Sequence, residues 1–218
     1  MRIALDALAF LFPVPCAGCG ADGRAVCASC ATRLAPDLRR LDLAGVGPVT
    51  AGFAYDGVAR SAILALKEQG RAGLAAPLAP ALAGAVTAGL TTHPDARVVA
   101  IPSSRSARRR RGYEPVRMLA ARAGIRLTPA FLPARAHGPQ KTLGVDARAA
   151  NLDGVFELAR PVGGSRVLLL DDVVTTGATL TAAAAVLRAA GAEVVGAAVL
   201  AATPRRDGRS SGTLSNPS

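Results

Sequence analysis

VLLLDDVVTTGAT, residues 167–179, sets a run of Val and Leu beside two adjacent carboxylates and a Thr/Gly turn. An unbroken apolar run suits a strand covered on both faces, as in a parallel sheet, and not an alternating, half-exposed one. A strand over 166–170 places Asp171 and Asp172 at its carboxyl end, where open α/β sheets bind their ligands. Thr175, Thr176 and Gly177 then lead into an Ala/Leu-rich helix expected over 178–190 and stopped by Gly191. Backbone N–H groups at such a turn, with threonine hydroxyls, can cradle a phosphate monoester without a lysine. The two carboxylates can accept hydrogen bonds from vicinal hydroxyls or hold a hydrated Mg2+. A buried strand ending in a solvated Asp-Asp turn is the plainer alternative, but it leaves the Thr-Thr-Gly-Ala-Thr turn unexplained. The chain has no GxGxxG after a strand and no GxxxxGK[ST], which disfavours a dinucleotide or nucleoside triphosphate site.

Outward from this stretch, strands are expected over 49–55, 97–101 and 193–200, and helices over 58–67 and 75–90, with Pro77 and Pro80 confining the start of the latter. The alternation is that of βαβ units, hence an α/β domain with a parallel sheet and helices on both faces. Residues 36–48 read as a linker, and from Thr203 the composition turns to Arg, Ser, Gly and Pro without periodicity, as in a disordered tail. The chain thus divides into an N-terminal segment (1–45), a main domain (46–203) and a tail (204–218). Leu5, Leu8, Ala9 and Phe12 fall at helical spacing in a stretch too short to span a membrane, and the cytoplasm is the default location.

With 218 residues, half of them hydrophobic but only 3% aromatic, the core must be built from Ala, Val and Leu. The formal charge is +11, and Lys67 and Lys141 are the only lysines. Between Ile101 and Arg135 nine arginines face one acidic residue, Glu114, so nine minus one places +8 of the charge in one segment. Such a cluster attracts a diphosphate as readily as a nucleic-acid backbone, and a solvated helix face is the plainer reading. Scarce aromatics argue against a base-stacking platform for single-stranded DNA.

Cys16, Cys19, Cys27 and Cys30 form two C-x2-C knuckles. In a chain without a secretory signal, this pattern fits a closed four-thiolate zinc site, with Gly18, Gly20 and Gly23 allowing tight turns around one ion. Two disulfides or redox-active thiols are the competing readings.

The 167–179 stretch resembles the diphosphoribosyl-binding motif of type I phosphoribosyltransferases. Further stretches resemble the ComF family of phosphoribosyltransferase-like proteins: Tyr55 through Leu66-Lys67 and Gly70, IPSSRSARRRRGY at 101–113, and LPARAHGPQKTLGVDARAANLDGVF at 132–156. The resemblance implies a type I phosphoribosyltransferase-like domain preceded by a small four-cysteine zinc-binding segment. It also implies a site for 5-phosphoribosyl 1-diphosphate (PRPP) with Mg2+. Pro102, Ser103, Ser104 and Arg105 would face the diphosphate, and Asp171, Asp172, Val173, Val174, Thr175, Thr176, Gly177, Ala178 and Thr179 would hold the ribose 5-phosphate. Asp171, Asp172 and Arg105 would serve catalysis, releasing pyrophosphate. Gln140, Arg148 and Asn151 match a stretch that forms a hood in related transferases, with Lys141 beside them. Glu114 and Pro115 depart from the family's Asn-Gln after Arg111-Gly112. The family's link to competence implies single-stranded DNA and DNA-processing proteins as further partners. No residue identifies an acceptor.

Overall fold

The computed structural model describes residues 14–103, 105–132 and 156–204. Its strands are β1 (Arg39–Leu43), β2 (Gly47–Ala54), β3 (Arg97–Ala100), β4 (Arg166–Val174) and β5 (Glu193–Ala202). Its helices are α1 (Ala28–Thr32), α2 (Gly57–Glu68), α3 (Ala75–Leu90), α4 (Arg105–Arg111), α5 (Pro115–Arg122) and α6 (Ala178–Ala189). The five strands form one sheet in the order β1-β2-β5-β4-β3. All neighbours are parallel except β1, which is antiparallel to β2 at the edge.

The mixed α/β architecture expected from the sequence is therefore present, with the apolar run on an interior strand, β4, between β5 and β3. Side chains alternate across a strand, and β4 accordingly divides its apolar residues between two cores. Leu168 and Leu170 join α2, α3 and α5 on one face, while Val167 and Leu169 join α6 on the other. A strand clothed on both sides has no polar face to show, which is why its sequence does not alternate.

The few aromatics are replaced by close approach of small residues. Gly52 on β2 lies directly under α3, where an added β-carbon would stand 2.7 Å from the Ala81 carbonyl oxygen and 2.9 Å from its Cβ. Residues Ala72–Leu90 are long and apolar enough to cross a bilayer. Here Leu78, Leu82 and Ala85 are fully buried, and the helix packs on β2, β5 and α5.

Three expectations are corrected. The stretch 36–48 is not simply a linker, because it contains β1, whose Leu41 and Leu43 pair with Val49 and Gly47. β4 continues past Leu170 to Val174, so Asp171 and Asp172 are strand residues. β5 likewise runs on to Ala202, paired with Val174. The helical reading of 1–12 and the tail from 205 lie outside the described residues.

Gly52→Ala should lower stability by about 1–3 kcal/mol, since the obstacle is helix backbone that cannot rotate away. A thermal melt checks this; an unchanged Tm would show that α3 does not press on β2 as described.

Candidate functional site

β3 ends at Ala100, opposite Leu170, and the last bond between the two strands runs from the Ile101 N–H to the Leu170 carbonyl, 2.9 Å. β4 continues through Val174, paired from there on only with β5. Asp171 and Asp172 therefore stand on an overhang that no described strand pairs on the β3 side. The chain leaving β3 turns on that side through half-buried Pro102 and Ser103 into α4, which begins at Arg105. Ser104 and the Arg105 side chain lie outside the described residues, as do Gln140, Lys141, Arg148 and Asn151.

The two carboxylates have different surroundings. Asp172 Oδ1 accepts from Lys67 Nζ at 2.9 Å, a partly buried pair that joins β4 to the end of α2. Asp171 Oδ1 accepts the Asp172 backbone N–H at 2.8 Å. Burial, and then the neighbouring Asp172 charge, push the Asp171 carboxyl up to about 7.

The end of α2 is a junction. Beside Lys67, the Leu66 carbonyl accepts the Tyr113 hydroxyl, and Glu68 holds Arg111 at 2.7 Å. The Arg-Gly-Tyr turn is thus latched to the helix that neutralises Asp172, with Gly112 at φ +74° allowing the turn. Burial raises the Tyr113 hydroxyl above its usual range. Lys67 was not among the expected site residues, because nothing local connects it to a carboxylate far along the chain; the one signal that could have found it is its place in the family-like stretch 55–70.

Beyond the overhang, Val174 and Leu180 are buried while Thr175, Thr176, Ala178 and Thr179 are exposed. Gly177 caps α6 at φ +84°, ψ 0°, and the Thr176 hydroxyl accepts the Ala178 N–H at 3.4 Å. Asp171 and this turn line a shallow cradle of about 30 Å³. An exposed turn that opens a twelve-residue helix, whose first N–H groups have no partner within the helix, suits an anion. A larger cavity of about 970 Å³ adjoins the β3 turn. Ile101, Pro102, Met118, Leu127 and Phe131 form its apolar walls, and Tyr113, Glu114, Arg109 and Arg117 its polar ones.

Residues 109–215 match the family model described as phosphoribosyl transferase domain. The phosphoribosyltransferase match thus covers 107 of the 218 residues. An adenine phosphoribosyltransferase of Streptomyces galbus is 33% identical over 128 residues, 58% of this chain and 66% of that protein. One from Gluconobacter oxydans (strain 621H) is 37% identical over 92 residues, 41% of this chain and 50% of that protein. The chain therefore spans 66% of the first relative's length and 50% of the second's. A crystal structure of a hypoxanthine phosphoribosyltransferase from Staphylococcus aureus aligns with 63% of this chain and 70% of that one, at 17% identity and a TM-score of 0.35. That likeness is too loose to bear on the site. The family match begins after α2, so Lys67 and the cysteines lie N-terminal to the matched residues.

The sulfurs of Cys16, Cys19, Cys27 and Cys30 all lie within 4.8 Å of one another. Cys19 and Cys27 are 3.7 Å apart, sulfur to sulfur. Thiolates about 2.3 Å from a tetrahedral zinc have edges of about 3.8 Å, so the donor set fits one such ion. Backbone N–H groups, that of Cys27 foremost, draw the Cys16 thiol down to about 6. Burial pushes Cys30 up to about 12. The cluster is not an appendage, because Cys16, Cys30 and Leu34 share a core with Val58, Ala59 and Ile63 of α2.

Two outcomes are expected. A carboxyl raised in the folded state contributes stability below its ordinary range near 3.8 and loses it as pH rises through about 7. Wild-type Tm should therefore fall between pH 5 and pH 8 more than that of Asp171→Asn; parallel profiles would contradict the assignment. Purified protein should hold one zinc per chain, and chelation under reducing conditions should lower Tm by about 10 °C, a loss of several kcal/mol at roughly 2–4 °C each. Less than about half an equivalent of zinc with an unchanged Tm would remove the structural-metal reading.

Proposed function

We propose that the chain is a phosphoribosyltransferase that binds PRPP and transfers its phosphoribosyl group to an acceptor with release of pyrophosphate. The observation that carries this reading is the overhang of β4. It sets two carboxylates between an anion-ready turn on one side and the β3 turn leading into an arginine-rich helix on the other. Three chemically distinct parts of one ligand, a 5-phosphate, a ribose diol and a diphosphate, find counterparts in that order.

In the reaction, the bond from C1 to the diphosphate oxygen breaks, its electron pair leaves with pyrophosphate, and the acceptor's lone pair forms the new bond to C1. Positive charge develops on the ribosyl ring and negative charge on the leaving group. Asp171 and Asp172 hold the ribose hydroxyls, while Lys67 balances Asp172 before the ligand arrives. The 175–179 turn grips the 5-phosphate, so that binding energy remote from C1 becomes positioning. Pro102, Ser103, Ser104 and Arg105 face the diphosphate. Mg2+, when bound with PRPP, supplies further charge neutralisation there. The oxygen-only donor set of Asp171 and Asp172 fits a hard cation reached largely through water and ligand oxygens. The 970 Å³ cavity beside the β3 turn is large enough for an acceptor.

We place the chain among ComF-like proteins on the stretches quoted above and assign zinc to its four cysteines. Thiols kept reduced and a phosphorylated sugar as ligand both fit the cytoplasm. Single-stranded DNA is the weaker second reading, since Arg110 and Arg111 are engaged by Glu68 and Arg117 by Glu114.

Calorimetric titration of Mg2+ and PRPP should give binding by wild type that is lost or weakened at least about tenfold in the Asp171→Asn/Asp172→Asn protein. Equal affinity in the two would sink the site. A screen of heterocyclic bases for PRPP-dependent pyrophosphate release then identifies the acceptor.

A further inference from the structure

The strand that the sequence does not announce, β1, reaches the phosphate turn. Gly177 is buried although the residues on either side of it are exposed, and its cover is Leu43, the last residue of β1. A β-carbon added to Gly177 would stand 2.5 Å from Leu43 Cδ1 and 3.0 Å from Cγ. Glycine is required there twice over, by its left-handed backbone and by the side chain pressed against it. The turn that follows β1 is fastened to the same helix. Its Val46 N–H bonds the Leu43 carbonyl at 2.9 Å, and the Thr181 hydroxyl bonds the Ala44 carbonyl at 3.4 Å. The Arg188 guanidinium binds the Gly45 carbonyl, and the Val46 and Val194 carbonyls at 3.0 and 3.3 Å. Gly45 is itself close-fitting, for a β-carbon there would stand 2.9 Å from Thr181 Cγ2. Thus α6, whose first turn offers N–H groups to the ligand, is braced from behind by the β1–β2 hairpin.

We propose that Leu43 is a positioning residue for the 5-phosphate end of the ligand, acting through Gly177; this rests on the PRPP reading above. It touches no ligand. Its side chain fills the space behind the turn, so that the N–H groups at the start of α6 keep one direction, the Ala178 N–H by way of the Thr176 hydroxyl it bonds. An anion site built from backbone donors depends on that direction, because among the described residues no side-chain cation lines the turn to compensate when it relaxes.

The effect should be confined to one end of the ligand, which separates it from general loss of stability. Ribose 5-phosphate and Mg2+-pyrophosphate are titrated separately into wild type, Leu43→Ala, Leu43→Met and Leu41→Ala. Leu41 is the control because it lies on the same face of the same strand and packs into the same core, but precedes the turn. Leu43→Ala should weaken ribose 5-phosphate about tenfold or more and leave pyrophosphate within about twofold. Leu43→Met should recover most of the loss, and Leu41→Ala should leave both affinities as they are, with Tm of the two alanine variants measured alongside. If Leu43→Ala does not fold, Leu43→Val carries the same comparison. Unchanged ribose 5-phosphate affinity in the Leu43 variant, or equal losses for both ligands in both alanine variants, overturns the proposal while the site itself stands. Failure of wild type to bind ribose 5-phosphate overturns both.

Discussion

The ammonium of Lys67, 2.9 Å from Asp172, is the contact on which the rest of the arrangement turns. Two neighbouring carboxylates on a strand clothed by helices repel each other and lose their hydration. One response is visible in Asp171, whose carboxyl is pushed up to about 7. The other is the lysine. Its worth is not the Coulomb energy of the pair alone, because removing the ammonium would leave Asp172 partly buried without a counter-charge, and that loss exceeds the net value of most such pairs. Holding Lys67 in place also fixes the end of α2, and with it the two groups that receive Tyr113 and Arg111. Ligand carboxylates, the arginine-bearing turn and the large cavity thereby share one reference point.

How legible this was depended on whether the signal was local. α3 was readable to the residue, 75–90, from its Ala-rich composition, although Pro80, expected to confine its start, stands inside the helix. The apolar halves of β4 and β5 were equally plain. β1 was not, because RRLDL is an edge strand with only two half-buried side chains, set among Pro36, Gly45 and Gly47. Turn residues outweigh so weak an alternation. The extension of β4 was hidden for a different reason. Asp has low strand propensity, yet Asp171 and Asp172 stay extended because β5 continues beside them and supplies ladder bonds. Tertiary context overrode local preference at the place where the ligand chemistry sits.

The cysteine pairs were legible by spacing, but their place in the fold was not. Paired knuckles read as a self-contained finger, whereas Cys16 and Cys30 are 3% and 2% exposed and belong to the core of α2. Gly18 shows how tight that seam is, since a β-carbon there would meet Cys30 Sγ at 2.6 Å and Val58 Cγ1 at 2.9 Å. Just past the other end of the helix, Arg71 bonds the Pro15 carbonyl at 2.6 Å and the Ala25 carbonyl at 3.4 Å. A twelve-residue helix is about 18 Å long, so the cysteine segment grips α2 near its first turn and again beyond its last. α2 therefore has little freedom to slide or roll against the sheet. A shift there would carry Lys67 away from Asp172, and the site's charge balance is thus tied mechanically to a segment that supplies no ligand-binding residue of its own.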